Sequence, residues 1–235
     1  DLSEVKLSNT GCWARKVVVS GDHAYVGNGG GLNIIDISDP ANPFETGIYD
    51  INDGFASSRD LAISGNHIYL AYDMMRLNII DITDKTNPIK ISSFHTGNYS
   101  MGVAVSGDYA YATDEGRGLR IIDISDPYAP TEVGSSSRNV FEAIAVSSGY
   151  AYIAGMEFYI FDVSDPTTPI EVVSYDTPGS LRNIAVDGKY VYVADGDMGL
   201  RILDVSSSTN LFEVGFYDTD GRAYGVTVSG DSAYI

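Results

Sequence analysis

The sequence predicts an all-β fold, a β-propeller of four-stranded antiparallel blades, on three observations. A tyrosine recurs after a tight turn at Tyr25, Tyr69, Tyr111, Tyr152, Tyr192 and Tyr234, at spacings of 44, 42, 41, 40 and 42 residues. The segments between these marks are short runs rich in Val, Ile and Tyr, each bounded by Gly, Asp or Pro, the composition of strands. No window carries ten or more residues with apolar side chains at helical spacing, so helices should be nearly absent. Four strands in about forty-two residues is the size of one propeller blade.

The elements of one unit follow in order. A first strand of the kind Val103-Ala104-Val105 ends at the turn Ser106-Gly107-Asp108. A second strand, Ala110-Tyr111-Ala112 here, carries the marker tyrosine, expected to face the neighbouring blade as core. The third runs from Leu119 to Ile124 and holds an aspartate recurring as Asp36, Asp81, Asp123, Asp162 and Asp204. These aspartates are placed to accept backbone N–H groups in the turn that follows, as Asx turns do. A fourth strand resembles Pro130 to Gly134.

The phase of the repeat sets the organisation. Residues 1–26 align without gaps onto residues 210–235, so the chain opens on a fourth-strand pattern, Leu2 to Leu7. One propeller domain over 1–235 is expected. Residues 1–10 would be the outer strand of the closing blade, 11–52, 53–96, 97–137, 138–177 and 178–219 full units, and 220–235 a partial sixth unit. Six blades is the natural count, with the N-terminal strand completing the last one and removing the open sheet edge. A stop within the sixth unit's second strand reads as truncation of a larger chain.

The segments Gly31-Leu32-Asn33-Ile34-Ile35-Asp36-Ile37-Ser38-Asp39-Pro40 and Gly118-Leu119-Arg120-Ile121-Ile122-Asp123-Ile124-Ser125-Asp126-Pro127 resemble the LVIVD repeat, which is similar to the YVTN propellers of archaeal surface layers. The resemblance covers essentially the whole chain. Three units depart from it: Arg76 replaces the Gly in the second, Glu157-Phe158 the Gly-Leu pair in the fourth, and Ser207-Ser208 the Asp-Pro in the fifth. It implies a propeller on a bacterial or archaeal cell surface, extracellular or secreted, and brings no catalytic residues with it.

Composition narrows the partners. A net charge of −18 repels phosphate backbones and argues against nucleic acid. No apolar run is long enough to span a membrane, and the single Cys12 excludes an intrachain disulfide. His23, His67 and His95 are paired by repeat position with no serine or cysteine nucleophile, so a catalytic triad finds no support. No cofactor is implied. Calcium is the metal to weigh, since Asp195-Gly196-Asp197 and Asp218-Thr219-Asp220-Gly221 place carboxylates two residues apart, although Asp-Gly is also ordinary turn chemistry.

The loops from fourth to first and from second to third strand emerge on one face, and the unrepeated residues gather there. The expected binding face comprises Trp13, Arg15, Phe55, Arg59, Met74, Met75, Arg76, Tyr99, Met101, Phe141, Arg182, Met198 and Tyr224, with Met156 beside them. Aromatic residues, Met and Arg are the types enriched at interfaces. Arg15, Arg59 and Arg182 share one repeat position, where Met101, Glu142 and Tyr224 replace them. The leading reading is a non-enzymatic binding or scaffold module holding a protein or glycan. A hydrolase or lyase at the central funnel is the alternative, with those arginines gripping a carboxylate and Glu142 or Asp60 as acid or base. A structural subunit of a surface layer or filament is the third.

Overall fold

The computed structural model describes residues 14–51, 57–72, 75–138, 142–207 and 210–235. Among them there is no helix, and the strands form five four-stranded antiparallel sheets and one two-stranded sheet. Blade one comprises β1 (Lys16–Ser20), β2 (His23–Asn28), β3 (Gly31–Asp36) and β4 (Phe44–Asp50). Blade two has β5 (Ser58–Ser64), β6 (His67–Tyr72), β7 (Arg76–Asp81) and β8 (Ile89–His95). Blade three has β9 (Ser100–Ser106), β10 (Tyr109–Asp114), β11 (Gly118–Asp123) and β12 (Thr131–Ser136). β13 (Ala143–Ser147), β14 (Tyr150–Ala154), β15 (Phe158–Asp162) and β16 (Ile170–Tyr175) form blade four. β17 (Asn183–Asp187), β18 (Tyr190–Ala194), β19 (Leu200–Asp204) and β20 (Phe212–Tyr217) form blade five. β21 (Thr227–Ser229) and β22 (Ser232–Tyr234) begin a sixth.

The innermost strands β1, β5, β9, β13, β17 and β21 each lie beside the next, which makes the stack of sheets a propeller. Among the described residues no strand pairing joins the sixth sheet to β1. The closing strand expected at Leu2 to Leu7 lies outside the described residues.

The hairpin between first and second strands shows why the repeat keeps a glycine there. Ser20 pairs with His23 across two residues, and Gly21 sits at φ +58°, a conformation an L side chain resists. Gly65, Gly107, Gly188 and Gly230 repeat it at +56° to +58°. Blade four differs. Its glycine comes one residue later, at Gly149, so Ser148 is forced to φ +53°. The second blade shows a similar shift: Arg76 stands where others have Gly, and the left-handed residue is Met75, at φ +62°.

The core lies between blades. Tyr111 packs with Leu119 and Ile121 of its own blade and with Ile144, Ala151 and Ile153 of the next. Tyr25 likewise reaches Leu61, Ile68 and Leu70. Burial raises the phenol pKa of Tyr25, Tyr69, Tyr111 and Tyr152. The third-strand aspartates do what turn chemistry demands: Asp36 Oδ1 accepts Ser38 N at 2.9 Å and Ser38 Oγ at 2.6 Å. Asp123 and Asp162 bind Ser125 and Ser164 in the same way. These hydrogen bonds hold the carboxyls below their usual range.

Every fourth strand carries a bulge at the same place, where the register slips opposite Ile34, Ile79, Ile121, Ile160 and Ile202. The bulge brings the next residue against the following blade's turn. A Cβ on Gly47 would lie 2.1 Å from the Lys85 carbonyl oxygen, and one on Gly134 2.1 Å from that of Pro166. In blade two the equivalent Ser92 donates its hydroxyl to the Pro127 carbonyl at 2.6 Å. Blade four has Val173 at this position, and in sequence the fifth unit carries Ser207-Ser208 in place of Asp-Pro.

Candidate functional site

At the mouth of the central channel, one residue at or near the start of each innermost strand lines the cavity. Arg15, Arg59, Met101, Glu142, Arg182 and Tyr224 occupy one repeat position, and all six line a single cavity of about 400 Å³. The strand ladder places them there. Arg15, Glu142 and Arg182 each donate a backbone N–H to the second strand of their own blade, at Gly27, Ala154 and Ala194. That bond fixes each residue on the rim.

The next repeat position supplies Lys16, Asp60, Ala143 and Asn183 to the same cavity. Two of these clamp neighbouring blades together. Asp60 accepts Leu61 N at 2.9 Å and, across the blade boundary, Val103 N at 3.0 Å. Asn183 Oδ1 accepts Val226 N at 3.2 Å in the equivalent arrangement. Both satisfy N–H groups on the free edge of an innermost strand, which would otherwise lack a ladder partner.

Charge on the rim is paired but unbalanced. Lys16 Nζ lies 3.3 Å from Asp60, and Arg182 Nη1 lies 3.3 Å from Glu142. Burial raises the Asp60 carboxyl pKa, opposed by Lys16 and the two backbone donors. Burial also raises Glu142, opposed by Arg182 and Arg59. Four cations and two acids line the cavity, a positive site in a chain of net charge −18.

A second cavity of about 270 Å³ shares Glu142 and Arg182 with the first and runs outward past Met156, Gly179 and Ser180. Met156 is 70 % exposed and Tyr224 63 %. Met75, Tyr99 and Met198 are exposed on the same face, as is Arg76 at the start of β7. Trp13, Phe55, Met74 and Phe141 lie outside the described residues. The channel mouth thus joins Arg15, Arg59, Met101, Arg182 and Tyr224 of the expected face. Met75, Arg76, Tyr99 and Met198 stand on the loops and do not line the mouth cavity. Sequence reasoning left Lys16 and Asn183 out, although the repeat position one residue along would have shown them.

The acidic loops have other partners. Asp195 is fully buried and accepts Thr177 Oγ1 at 2.7 Å and Gly179 N at 3.0 Å, with Arg201 Nε 3.9 Å away. Asp197 pairs with Arg222 at 2.7 Å. Asp218 and Asp220 are exposed. Among the described residues no three His, Cys, Asp or Glu side chains converge in a way that could hold a metal.

A repeat-built propeller with a wide, charged channel mouth defines the class. The LVIVD repeat model matches residues 11–51, 56–96, 97–137, 142–177 and 178–219. The chain belongs to the LVIVD-repeat family. None of the curated proteins matches it. Among solved structures, a chain of the mitotic checkpoint complex is similar with TM-score 0.75 at 15% identity, over 94% of this chain and 70% of that one. A functionally unknown protein from Desulfotomaculum acetoxidans DSM 771 gives 0.73 at 16% identity, over 90% and 74%. The computationally designed Ika8 protein gives 0.64 at 10% identity, over 93% of this chain, which spans 65% of the designed one. At these identities the likeness shows the propeller fold alone.

Proposed function

We propose that this chain is a non-enzymatic binding module of a cell-surface or secreted protein, engaging its partner with the face around the channel mouth. One observation carries the reading: the repeat holds its strands nearly constant yet diversifies a position that lines the mouth cavity in every unit, from Arg to Met, Glu and Tyr. Tyr224 lines that cavity, Met156 lines the adjoining one, and Tyr99 and Met198 are exposed on loops of the same face, the side-chain types that anchor interfaces. A protein or glycan is the partner class that such a rim suits.

The alternative of a hydrolase or lyase draws on the same residues, but the two acids are already engaged. Asp60 is held by two backbone N–H groups and Lys16, and Glu142 by Arg182, an arrangement for structure and recognition rather than proton transfer.

The test is capture of the native partner from the surface fraction by wild-type chain and by a triple variant, Met156→Ser, Met198→Ser and Tyr224→Ser. A control variant, Tyr128→Ser, changes an exposed aromatic on the turn between third and fourth strands, at the opposite end of the blades. Capture should be lost in the triple variant and kept in the control, with melting temperatures within about 2 °C of wild type, since exposed substitutions change stability little. Equal capture by both variants refutes the face.

A further inference from the structure

The loop that leads from β8 into blade three carries Tyr99, one of the exposed aromatics of the mouth face, and runs on to Met101 in the mouth cavity. We infer that Asp114 is a pH-sensitive latch for this loop, holding residues 96–100 in place in mild acid and loosening them in mild base. The consequence for capture rests on the proposed binding face, whereas the latch itself does not.

The geometry sets up the latch. Asp114 ends β10 and is fully buried. Its Oδ2 accepts Asn98 N at 3.2 Å, while its Oδ1 is buried with no hydrogen-bond partner. The neighbouring cations do not complete it. Arg120 gives its Nη2 to Glu132 and keeps a buried Nε without a partner. Arg117 packs on the loop instead, since a Cβ on Gly97 would lie 2.3 Å from its Nη1. The charged groups acting on the carboxyl are these two arginines and His95 of β8, with Glu132 of β12 beyond Arg120. Glu115 meets the loop through its backbone, its N–H donating to the Tyr99 carbonyl at 3.0 Å.

A carboxylate taken out of water needs several donors, and a single N–H leaves it under-satisfied. Blade five shows the contrast at the same repeat position. Asp195 is equally buried, yet both its oxygens accept, from Thr177 Oγ1 at 2.7 Å and from Gly179 N at 3.0 Å. The loop over Asp114 also has a place to part. The β9–β10 ladder slips register between Thr113 and Asp114, so the regular pairing of these strands ends where the latch begins.

Burial fixes the sign. Desolvation raises the Asp114 carboxyl from 3.8 to about 6, against the pull of the Asn98 N–H, Arg120, Arg117 and His95. Parting residues 96–100 from it admits water and returns it toward its ordinary value. The closed loop therefore holds a proton more tightly than the open one, and closure is favoured as pH falls. Ionisation weakens closure by about a hundredfold above pH 6, and by about a tenth of that at pH 5.

The test is backbone amide exchange of the 235-residue chain at pH 5 and pH 8, read residue by residue by NMR and corrected for the intrinsic base-catalysed rate. Protection at Asn98 and Glu115, whose N–H groups the closed loop engages, should fall about five- to tenfold from pH 5 to pH 8. Asp114→Asn keeps an oxygen for Asn98 and removes the charge, so its protection should match at the two pH values. His95→Gln should keep the fall, which separates Asp114 from the histidine beside it. A fall of less than about twofold in the wild type, where linkage requires more, overturns the latch. So does a fall that persists in Asp114→Asn or one that His95→Gln abolishes. No partner enters this measurement, so failed capture refutes the face and leaves the latch, and a flat exchange profile refutes the latch and leaves the face.

Discussion

The blade-to-blade contact at the fourth-strand bulge predicts an unequal cost for one chemical change at three equivalent glycines. Gly134→Ala would bring the new methyl to 2.1 Å from the Pro166 carbonyl oxygen, and Gly47→Ala to 2.1 Å from that of Lys85. Both obstacles are backbone, so no side-chain rotation relieves them, and the turn that offers the oxygen is itself held by Asp165 and Asp84. Overpacking of this kind costs about 1–3 kcal/mol, and a rigid backbone obstacle places these two at about 2–3 kcal/mol. In a chain of this length that lowers the melting temperature by about 5–10 °C. Gly215 occupies the same repeat position, but its nearest contact is Ile202 Cδ1 of its own blade at 3.9 Å. Gly215→Ala should therefore be neutral or gain up to about 1 kcal/mol from the reduced freedom of the unfolded chain. Thermal melting of the three single variants by circular dichroism is the assay. If Gly215→Ala loses as much as Gly134→Ala, the cost comes from the glycine backbone itself and the interblade contact is not its cause.

Other consequences are as open to measurement. Ser92→Ala removes the hydroxyl that donates to Pro127 and should cost about 1 kcal/mol in a urea titration; no change would mean that water replaces the bond freely. Ser148→Gly should stabilise by up to about 1 kcal/mol, because Ser148 is held at φ +53°, and a loss on melting would refute the strain. Burial raises the Asp114 carboxyl to about 6, against the pull of the Asn98 N–H, Arg120, Arg117 and His95. A carboxyl raised in the folded state works against stability once pH exceeds its unfolded value; the penalty is full above about 6, shrinks as pH falls through that value and is gone only below about 4. Asp114→Asn should therefore melt higher than wild type at pH 7.5, with the gap clearly narrower at pH 5; a gap unchanged across that range refutes the reading. Residues 1–10, expected to complete the sixth blade, should lower the melting temperature by several degrees when deleted, and an unaltered melt refutes that closure.

The fold was legible because its causes are local and recur five or six times. The glycine of the first hairpin must adopt φ near +57°, the marker tyrosine must fill the gap to the next blade, and the aspartate must hold its turn. Each leaves the same residue at the same spacing. The cavity was legible only in part. Arg15, Arg59 and Arg182 stood out because they share a position, but Lys16 and Asn183 appear in the cavity without any repeated residue type to mark them. Their position serves the channel, where Asp60 and Asn183 cap a neighbour's N–H and where other units carry Gly102, Ala143 and Gly225. The calcium reading had no such support, because an Asp-Gly-Asp run does not reveal that Asp195 turns inward to Thr177 while Asp197 turns outward to Arg222.

The same comparison of equivalent positions explains the exposed apolar residues at the two ends of the blade array. Leu61 and Val103 are buried, while Val17, their equivalent in β1, is 57 % exposed. Thr46, Ile91, Val133 and Val172 at the bulge are half-buried, while Val214 in β20 is 47 % exposed. The residue type is apolar in nearly every unit, so the difference comes from the neighbour and not from the sequence at the site. A blade face of this pattern is built to be covered by the next blade. Val17 and Val214 are therefore interblade core positions that the described strands leave uncovered. Their exposure belongs to the wedge between blade five and blade one, and it gives no independent argument for a partner on the outer surface.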